Sequence, residues 1–425
     1  MSREPPSSGA AAVLVCHMPF TSKVKFLCIH LFCAVVLDFV PRLVRWFSGF
    51  AFCTKSTAVY GSLEAKRFFD LDRLEKMPYA DPPYSGHVGT ILCSLRPHRN
   101  IPYERVVHPS TDGNPMHLDW LLTDTSRAKG VFIIVPGLAS WSGTNYIQHF
   151  VWFASTRHFH CVVFNSRGMG DTPIETPRLM SGKWTEDLRA VLRDGPLSRG
   201  AIQSKCRARL PIIGVGFSMG GVILCKYVGE ESLAGREHVI DAVMLVNAPL
   251  DCLYSSTFSN RGISKALYQP RMARGLVEYA FRHREVVKNI PGLAPDVRAA
   301  LASDSLEMLL KQVKSVRDFD LLITAPSLGF ATPEDYYHHV SPIHWLPHFS
   351  VPVLCISAVD DPVVGEPPME SLTSTMGLNH NVAVIVTPHG GHIGYIRSFW
   401  DEWVGTETLV EKIIFHGASA IKSMR

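Results

Sequence analysis

Short apolar runs alternate with helical stretches along most of this chain, and the runs are continuous instead of alternating with polar residues. Gly130-Val131-Phe132-Ile133-Ile134-Val135 stops at Pro136-Gly137, and Cys161-Val162-Val163-Phe164 stops at Asn165. Pro211-Ile212-Ile213-Gly214-Val215-Gly216, Ala242-Val243-Met244-Leu245-Val246, Val351-Pro352-Val353-Leu354-Cys355-Ile356 and Val382-Ala383-Val384-Ile385-Val386 follow. Such runs, separated by helical spacing, predict parallel strands buried on both faces beneath helices, and therefore an α/β core. Upstream, His117 to Leu122 after the turn Asp112-Gly113-Asn114-Pro115 predicts an edge strand of an antiparallel opening hairpin. Between Leu250 and Trp345 the strand pattern gives way to helical spacing, as in Met272 to Asn289 and Pro295 to Val316. This predicts a helical cap over 251–345, inserted between a first core part over 81–250 and a second over 346–416.

The amino-terminal pattern differs from the rest. A polar segment over 1–22 precedes an apolar stretch, Phe26 to Leu37, that is interrupted only by His30. Twelve residues are too few to cross about 30 Å of hydrocarbon, which takes roughly 20. Extension to Phe52 supplies the length but brings in Asp38, Pro41, Arg42 and Arg45, each costly within a bilayer. Residues 23–53 are therefore expected to form a membrane anchor or interfacial helix. A helix packed on the body and a cleaved signal are the alternatives, the latter disfavoured because no small-x-small site follows the apolar run. Lys and Arg flank both ends, which leaves the orientation open. Cys28, Cys33 and Cys53 sit where acyl chains attach in other proteins, although a plain apolar role suffices. The expectation is single-pass or peripheral association with the endoplasmic reticulum or another intracellular membrane.

Composition narrows the function classes. With 46% hydrophobic and 19% charged residues, the chain has ample material for a large core. A formal charge of +4 lacks the concentrated positive field of proteins that bind nucleic-acid backbones, so no nucleic-acid partner is expected. Ten cysteines without a C-x-x-C pair predict free thiols in a reducing compartment. The absence of any N-x-S/T sequon agrees with a cytosol-facing body. Oligomeric state is not legible.

Gly216-Phe217-Ser218-Met219-Gly220 lies between a strand pattern and a helical run. As a bare pattern G-x-S-x-G is common, but at a strand-to-helix junction it meets the requirements of a nucleophile elbow. There a serine occupies a strained turn, and Gly216 and Gly220 let strand and helix approach closely. A serine nucleophile needs a base and an acid that holds the base in its tautomer. The next-to-last strand runs into Asp360-Asp361-Pro362, and the last into His389-Gly390-Gly391-His392-Ile393-Gly394. Both loops belong at the carboxyl edge of the sheet, where α/β active sites lie. Asp361 is the preferred acid, with Asp360 hydrogen-bonding the loop, and His392 the preferred base, with His389 stabilising its loop. Oxyanion donors are expected from the Met219 N–H, next after the serine, and the Leu138 N–H in the loop after Val135. The pair His338 and His339 lacks a partner at metal-ligand spacing, so no metal site is expected.

These motifs in this order, with Asn165-Ser166-Arg167-Gly168, Thr176-Pro177-Arg178 and Trp184-Thr185-Glu186-Asp187-Leu188, resemble one family. It is the α/β-hydrolase esterase/lipase group that holds the membrane-anchored mammalian α/β-hydrolase-domain proteins and the plant embryogenesis-associated hydrolases. The resemblance runs from roughly Asp81 to His416. Ser166 departs from the histidine usual in N-x-R-G, and Ala139-Ser140 from the usual Thr-Gly-Gly at the oxyanion rim. The resemblance implies an α/β-hydrolase fold, with a mostly parallel central sheet, helices on both faces and an inserted cap. It also implies serine-dependent cleavage of acyl esters, often of lipids, as by a monoacylglycerol lipase or phospholipase, without a cofactor. Transfer of a medium-chain acyl group to an alcohol and non-catalytic lipid binding are the alternatives. Asn165, Arg167 and Asp187 are expected to tie the loop after the second strand to the helix that follows.

Overall fold

A computed structural model describes residues 57–75, 85–303, 305–396 and 405–421. The expected anchor over 23–53 and the polar segment over 1–22 lie outside these residues. Among the described residues no helix is long and apolar enough to cross a membrane.

Nine strands form one sheet. They are β1 (Ala58–Gly61), β2 (Glu104–Pro109), β3 (Pro115–Leu121), β4 (Gly130–Val135), β5 (Phe159–Asn165), β6 (Ile212–Phe217), β7 (Ala242–Val246), β8 (Val353–Ala358) and β9 (Val382–Thr387). Their order is β1-β9-β8-β7-β6-β4-β5-β3-β2. The strands from β4 to β9, foreseen as apolar runs, pair in parallel, while the additions at either end are antiparallel. The chain therefore has the α/β-hydrolase fold.

Two features correct the sequence reading. The strand placed at the edge, β3, is interior, paired with β2 on one side and β5 on the other, so the exposed edge is β2. On the opposite edge β1 pairs with β9, Ala58 opposite Val386. Four residues, Ala-Val-Tyr-Gly, are too few for a pattern, and only the partner strand reveals this element.

The continuous apolar runs are explained by the layers. Phe132 and Ile134 of β4 point into one cluster with Phe150, Phe159 and Phe415, whereas Val131, Ile133 and Val135 face Leu224 and Val228 on the other side. Each fully buried side chain of this size stabilises by about 1.5–3 kcal/mol. On the first face lies the carboxy-terminal helix Leu409–Ala420, whose Phe415 ring stacks on Phe150 at 5.2 Å. It starts in a capping box of Thr408 and Glu411, and Glu411 also accepts from the buried Arg96 at 3.1 Å. All six cysteines of the described residues are free and buried.

Between β7 and β8 the described residues from 251 to 345 hold helices and no strand. The long helical stretches of the sequence reading are broken into shorter helices. Pro295 starts Pro295–Ala302 at its first turn, and Ser315 with Asp318 forms a capping box that starts Val316–Phe319. A π-helical turn, Asp320–Thr324, follows directly. Val277, Val297 and Ile323 of this segment pack with Met169, Ile174 and Leu179 of the body in a third cluster. Tyr279 fastens the two, its hydroxyl donating to Arg167 O at 3.0 Å and accepting from Met180 N at 3.2 Å.

Arg167 is fully buried and ties its own loop to the turn that holds Asp112 and to the helix Glu186–Arg193. Its Nε and Nη2 donate to Asp187 at 2.7 and 2.6 Å, and Nη1 and Nη2 donate to Asp112, each at 3.1 Å. The expected tie between Arg167 and Asp187 is thus present. Asn165 is turned elsewhere: it donates to Asp119 Oδ2 at 2.8 Å and accepts from Ser142 N at 2.8 Å, which links β5 to β3 and to the loop after β4. Burial would raise the pKa of Asp112, but bonds from Arg167 and Thr176 prevail and hold it down at about 2. Removing one partner of a buried ion pair leaves uncompensated charge, so Arg167→Met should destabilise by about 3 kcal/mol in equilibrium urea unfolding at pH 7. The part due to Asp112 is fully present above its ordinary carboxylate pKa and is lost as pH falls through the folded value. The gap between variant and wild type should therefore narrow as pH is lowered from about 4 towards 2.

Candidate active site

The carboxyl edge of the parallel strands gathers the chemistry. Ser218 follows β6 and precedes the helix Met219–Leu233, and its backbone is held at φ +49° and ψ −121°. A side chain rarely adopts this region, and the neighbours enforce it. A Cβ on Gly216 would lie 2.5 Å from Gly221 Cα, and one on Gly220 would lie 2.1 Å from Val135 O. Strand and helix approach so closely that only glycine fits, and the serine is pushed to the tip of the turn.

His392 Nε2 is 3.0 Å from Ser218 Oγ, and its Nδ1 is 2.8 Å from Asp361 Oδ2. Asp361 is 1% exposed and fully hydrogen-bonded. Its Oδ1 accepts from Val363 N and Val364 N at 2.8 and 3.1 Å, and its Oδ2 from Asn247 Nδ2 at 2.7 Å. With Asp361 Oδ2 as the acceptor facing it, His392 carries its proton on Nδ1, which leaves Nε2 as an acceptor toward the serine. Asp360 points away from His392. Its Oδ1 accepts from Gly390 N and Gly391 N, each at 2.9 Å, and its Oδ2 lies 3.0 Å from His389 Nδ1. The two adjacent acids thus do different things: Asp361 meets the His392 imidazole, and Asp360 shapes the loop that carries it.

Leu138 and Met219 line the same cavity as Ser218 and His392. Met219 is the first helical residue, so its N–H has no acceptor one turn earlier in the helix. The loop that carries Leu138 is tightened by Ser140 N donating to Gly137 O at 3.1 Å and Gly137 N donating to Tyr146 Oη at 3.0 Å. The cavity has a volume of about 410 Å³. Two thiols also line it, Cys93 and Cys252, but burial pushes each up to about 12, so neither offers a thiolate near neutral pH.

The sequence pattern does not single out Asn247. It is fully buried just after β7, at φ +45°, and bridges the acid and histidine loops through Asp361 Oδ2 and Gly391 O, the latter at 3.2 Å. The only signal for it is its position, a polar residue ending an apolar strand at the carboxyl edge.

A family model described as alpha/beta hydrolase fold matches residues 130–398. The embryogenesis-associated protein EMB8 of Picea glauca is 31% identical over 334 residues, which cover 75% of this chain and 67% of that protein. Phospholipase ABHD3 of Mus musculus is 29% identical over 308 residues, 71% of this chain and 68% of that one. A monoacylglycerol lipase of Saccharomyces cerevisiae is 29% identical over 309 residues, 71% of this chain and 63% of its own length. The matched span includes both the elbow at Ser218 and the histidine loop at His392, and with these relatives it makes the chain a member of the α/β-hydrolase family.

Proposed function

We propose that this protein is a serine hydrolase that cleaves carboxylic esters, and lipid acyl esters in particular. The observation that carries the reading is the continuous relay at the elbow, Ser218 Oγ to His392 Nε2 at 3.0 Å and His392 Nδ1 to Asp361 Oδ2 at 2.8 Å. His392 takes the Ser218 proton as Oγ attacks the ester carbonyl, and the tetrahedral oxyanion is met by the N–H groups of Leu138 and Met219. Collapse of this intermediate expels the alcohol, which receives the proton from His392. Water, deprotonated by the same imidazole, then attacks the acyl-enzyme and releases the carboxylic acid and Ser218. Asp361 orients the imidazole and stabilises its protonated form.

A lipid substrate is supported by the apolar lining contributed by Leu138, Met272, Leu276 and Phe319, and by relatives named as a phospholipase and a monoacylglycerol lipase. An amino-terminal segment over 23–53 that rests on or in a membrane would bring such a site to its substrate. The helices over 251–345 act in this reading as a cap that shields the acyl chain from water.

Labelling with a fluorophosphonate probe tests the nucleophile. Full-length protein should label and Ser218→Ala should not, with ester turnover falling by about 10⁴-fold or more at an unchanged melting temperature. Undiminished hydrolysis in that variant would overturn the mechanism. The two acids are separated by kcat: Asp361→Asn should lower it by about 10⁴-fold through loss of the correct histidine tautomer. Asp360→Asn should cost far less, because its carboxyl bonds backbone amides and His389. Equal losses in the two variants would contradict the assignment.

A further inference from the structure

The loop that carries Leu138 holds a conformation that its own residues do not favour. Ala139 lies at φ +56°, in the left-handed region that alanine avoids. Ala139-Ser140 is also where this chain departs from the usual Thr-Gly-Gly, so contacts particular to these residues must keep the loop in shape.

Those contacts run through Tyr146, the second residue of the helix Asn145–Thr156. Its ring meets that of Phe217, the residue before Ser218, at 5.3 Å and close to edge-on. Its hydroxyl accepts from Gly137 N at 3.0 Å, and the Ser140 side chain reaches the same hydroxyl. The Ser140 hydroxyl in turn donates to Leu138 O at 3.4 Å. With Gly137 N as a donor to Tyr146 Oη, the phenolic hydrogen goes to Ser140 Oγ, and the chain of bonds returns to the loop one residue after it left. Burial pushes Tyr146 up to about 12 against the bonds from Ser140 and Gly137, so near neutral pH it is a neutral hydroxyl, at once donor and acceptor.

Three consecutive peptide groups are held in this way. Tyr146 holds the one before Gly137, and the Ser140 hydroxyl holds the one after Leu138. The peptide between them carries the Leu138 N–H, and its carbonyl, Gly137 O, accepts from Ser140 N at 3.1 Å. A planar trans peptide points its N–H opposite to its C=O, so fixing Gly137 O fixes the direction of the Leu138 N–H. This segment stands against the nucleophile: a Cβ on Gly137 would lie 3.2 Å from Ser218 Cβ and 3.4 Å from Tyr146 Oη. Leu138, Ser140, Tyr146 and Ser218 line one cavity.

We infer that Tyr146 and Ser140 are positioning residues for the oxyanion, which together lock the Gly137–Leu138 peptide so that the Leu138 N–H is aimed at the reacting oxygen before substrate arrives. The inference rests on the ester-hydrolase reading and adds to it two side chains that neither the triad nor the backbone donors include. A preset donor gains strength only as charge develops on the carbonyl oxygen, so the pair acts on kcat and leaves ground-state binding alone.

The experiment uses full-length protein and 4-nitrophenyl butyrate, with the corresponding ether and a butyl trifluoromethyl ketone as inhibitors. The ether mimics the ground state, and the ketone adds to the serine as a charged tetrahedral adduct. Tyr146→Phe and Ser140→Ala should each lower kcat by about 10- to 100-fold, somewhat less than loss of an oxyanion donor itself. KM and the Ki of the ether should stay near wild type, while the Ki of the ketone rises in step with the loss of kcat/KM. Ser140→Thr, which keeps the hydroxyl, should retain kcat. The double variant should lose no more than Tyr146→Phe alone, because both residues belong to one chain of bonds. Ser140 is half-buried, so Ser140→Ala and Ser140→Thr carry the test if Tyr146→Phe does not fold. An unchanged kcat in Ser140→Ala, an equal loss in Ser140→Thr, or a loss of kcat without a change in the ketone's Ki would overturn the inference while leaving ester hydrolysis standing. Folded wild-type protein that neither cleaves the ester nor binds the ketone would remove both the inference and the reading beneath it.

Discussion

The arrangement at the carboxyl edge depends on one close approach, that of β6 and the helix it feeds. Gly216 leaves no room for a Cβ between strand and helix, a Cβ on Gly221 would meet that of Ala248, and Gly220 passes just as tightly over Val135 O. The chain can turn so sharply only by placing Ser218 at positive φ, a conformation that costs on the order of 1–3 kcal/mol. Packing on both faces of the sheet supplies far more than this. The same approach places the Met219 N–H beside the serine and brings the loop after β4 against it, because β4 is the immediate neighbour of β6.

A second constraint holds the base. The histidine loop carries glycines that give it no stiffness of its own, and its shape comes from outside. Asp360 accepts from the amides of Gly390 and Gly391, and Asn247 bonds Gly391 O and Asp361. The Thr90 hydroxyl accepts from His392 N at 2.8 Å. Three segments far apart in sequence thus fix the imidazole between Ser218 and Asp361. Adjacent acids divide the work because successive residues in the loop after β8 point in different directions, one into the site and the other along the loop.

The helices between β7 and β8 close the cavity and set its character. Their apolar residues join the body through a shared cluster, whereas Asp320, Thr324 and Tyr337 bring polar atoms to the same space. The π-helical turn is the local device, since a widened turn presents side chains at an angle that a regular helix would not.

Much of this was legible in the chain. The apolar runs announce the six parallel strands, because strands buried on both faces are built almost wholly from apolar residues, and the G-x-S-x-G junction announces the elbow through its steric demand for glycine. The loops that carry Asp361 and His392 are legible because both follow strands whose carboxyl ends share an edge, whereas contacts separate them from Asp360 and His389 beside them. Other features depend on partners distant in sequence. β1 is too short to have a pattern and exists by pairing with β9, while β3 becomes interior because β2 covers it. Asn165 turns to Asp119, Asn247 reaches Asp361, and the polar wall around Asp320 forms only when the turn over 320–324 meets Tyr337. The sequence by itself determined the layers and the candidate residues Ser218, Asp361 and His392, since both follow from local periodicity and local sterics. Only the tertiary structure decided strand order, the supports of the histidine loop and the lining of the cavity, since each is a contact between segments whose separation along the chain carries no signal.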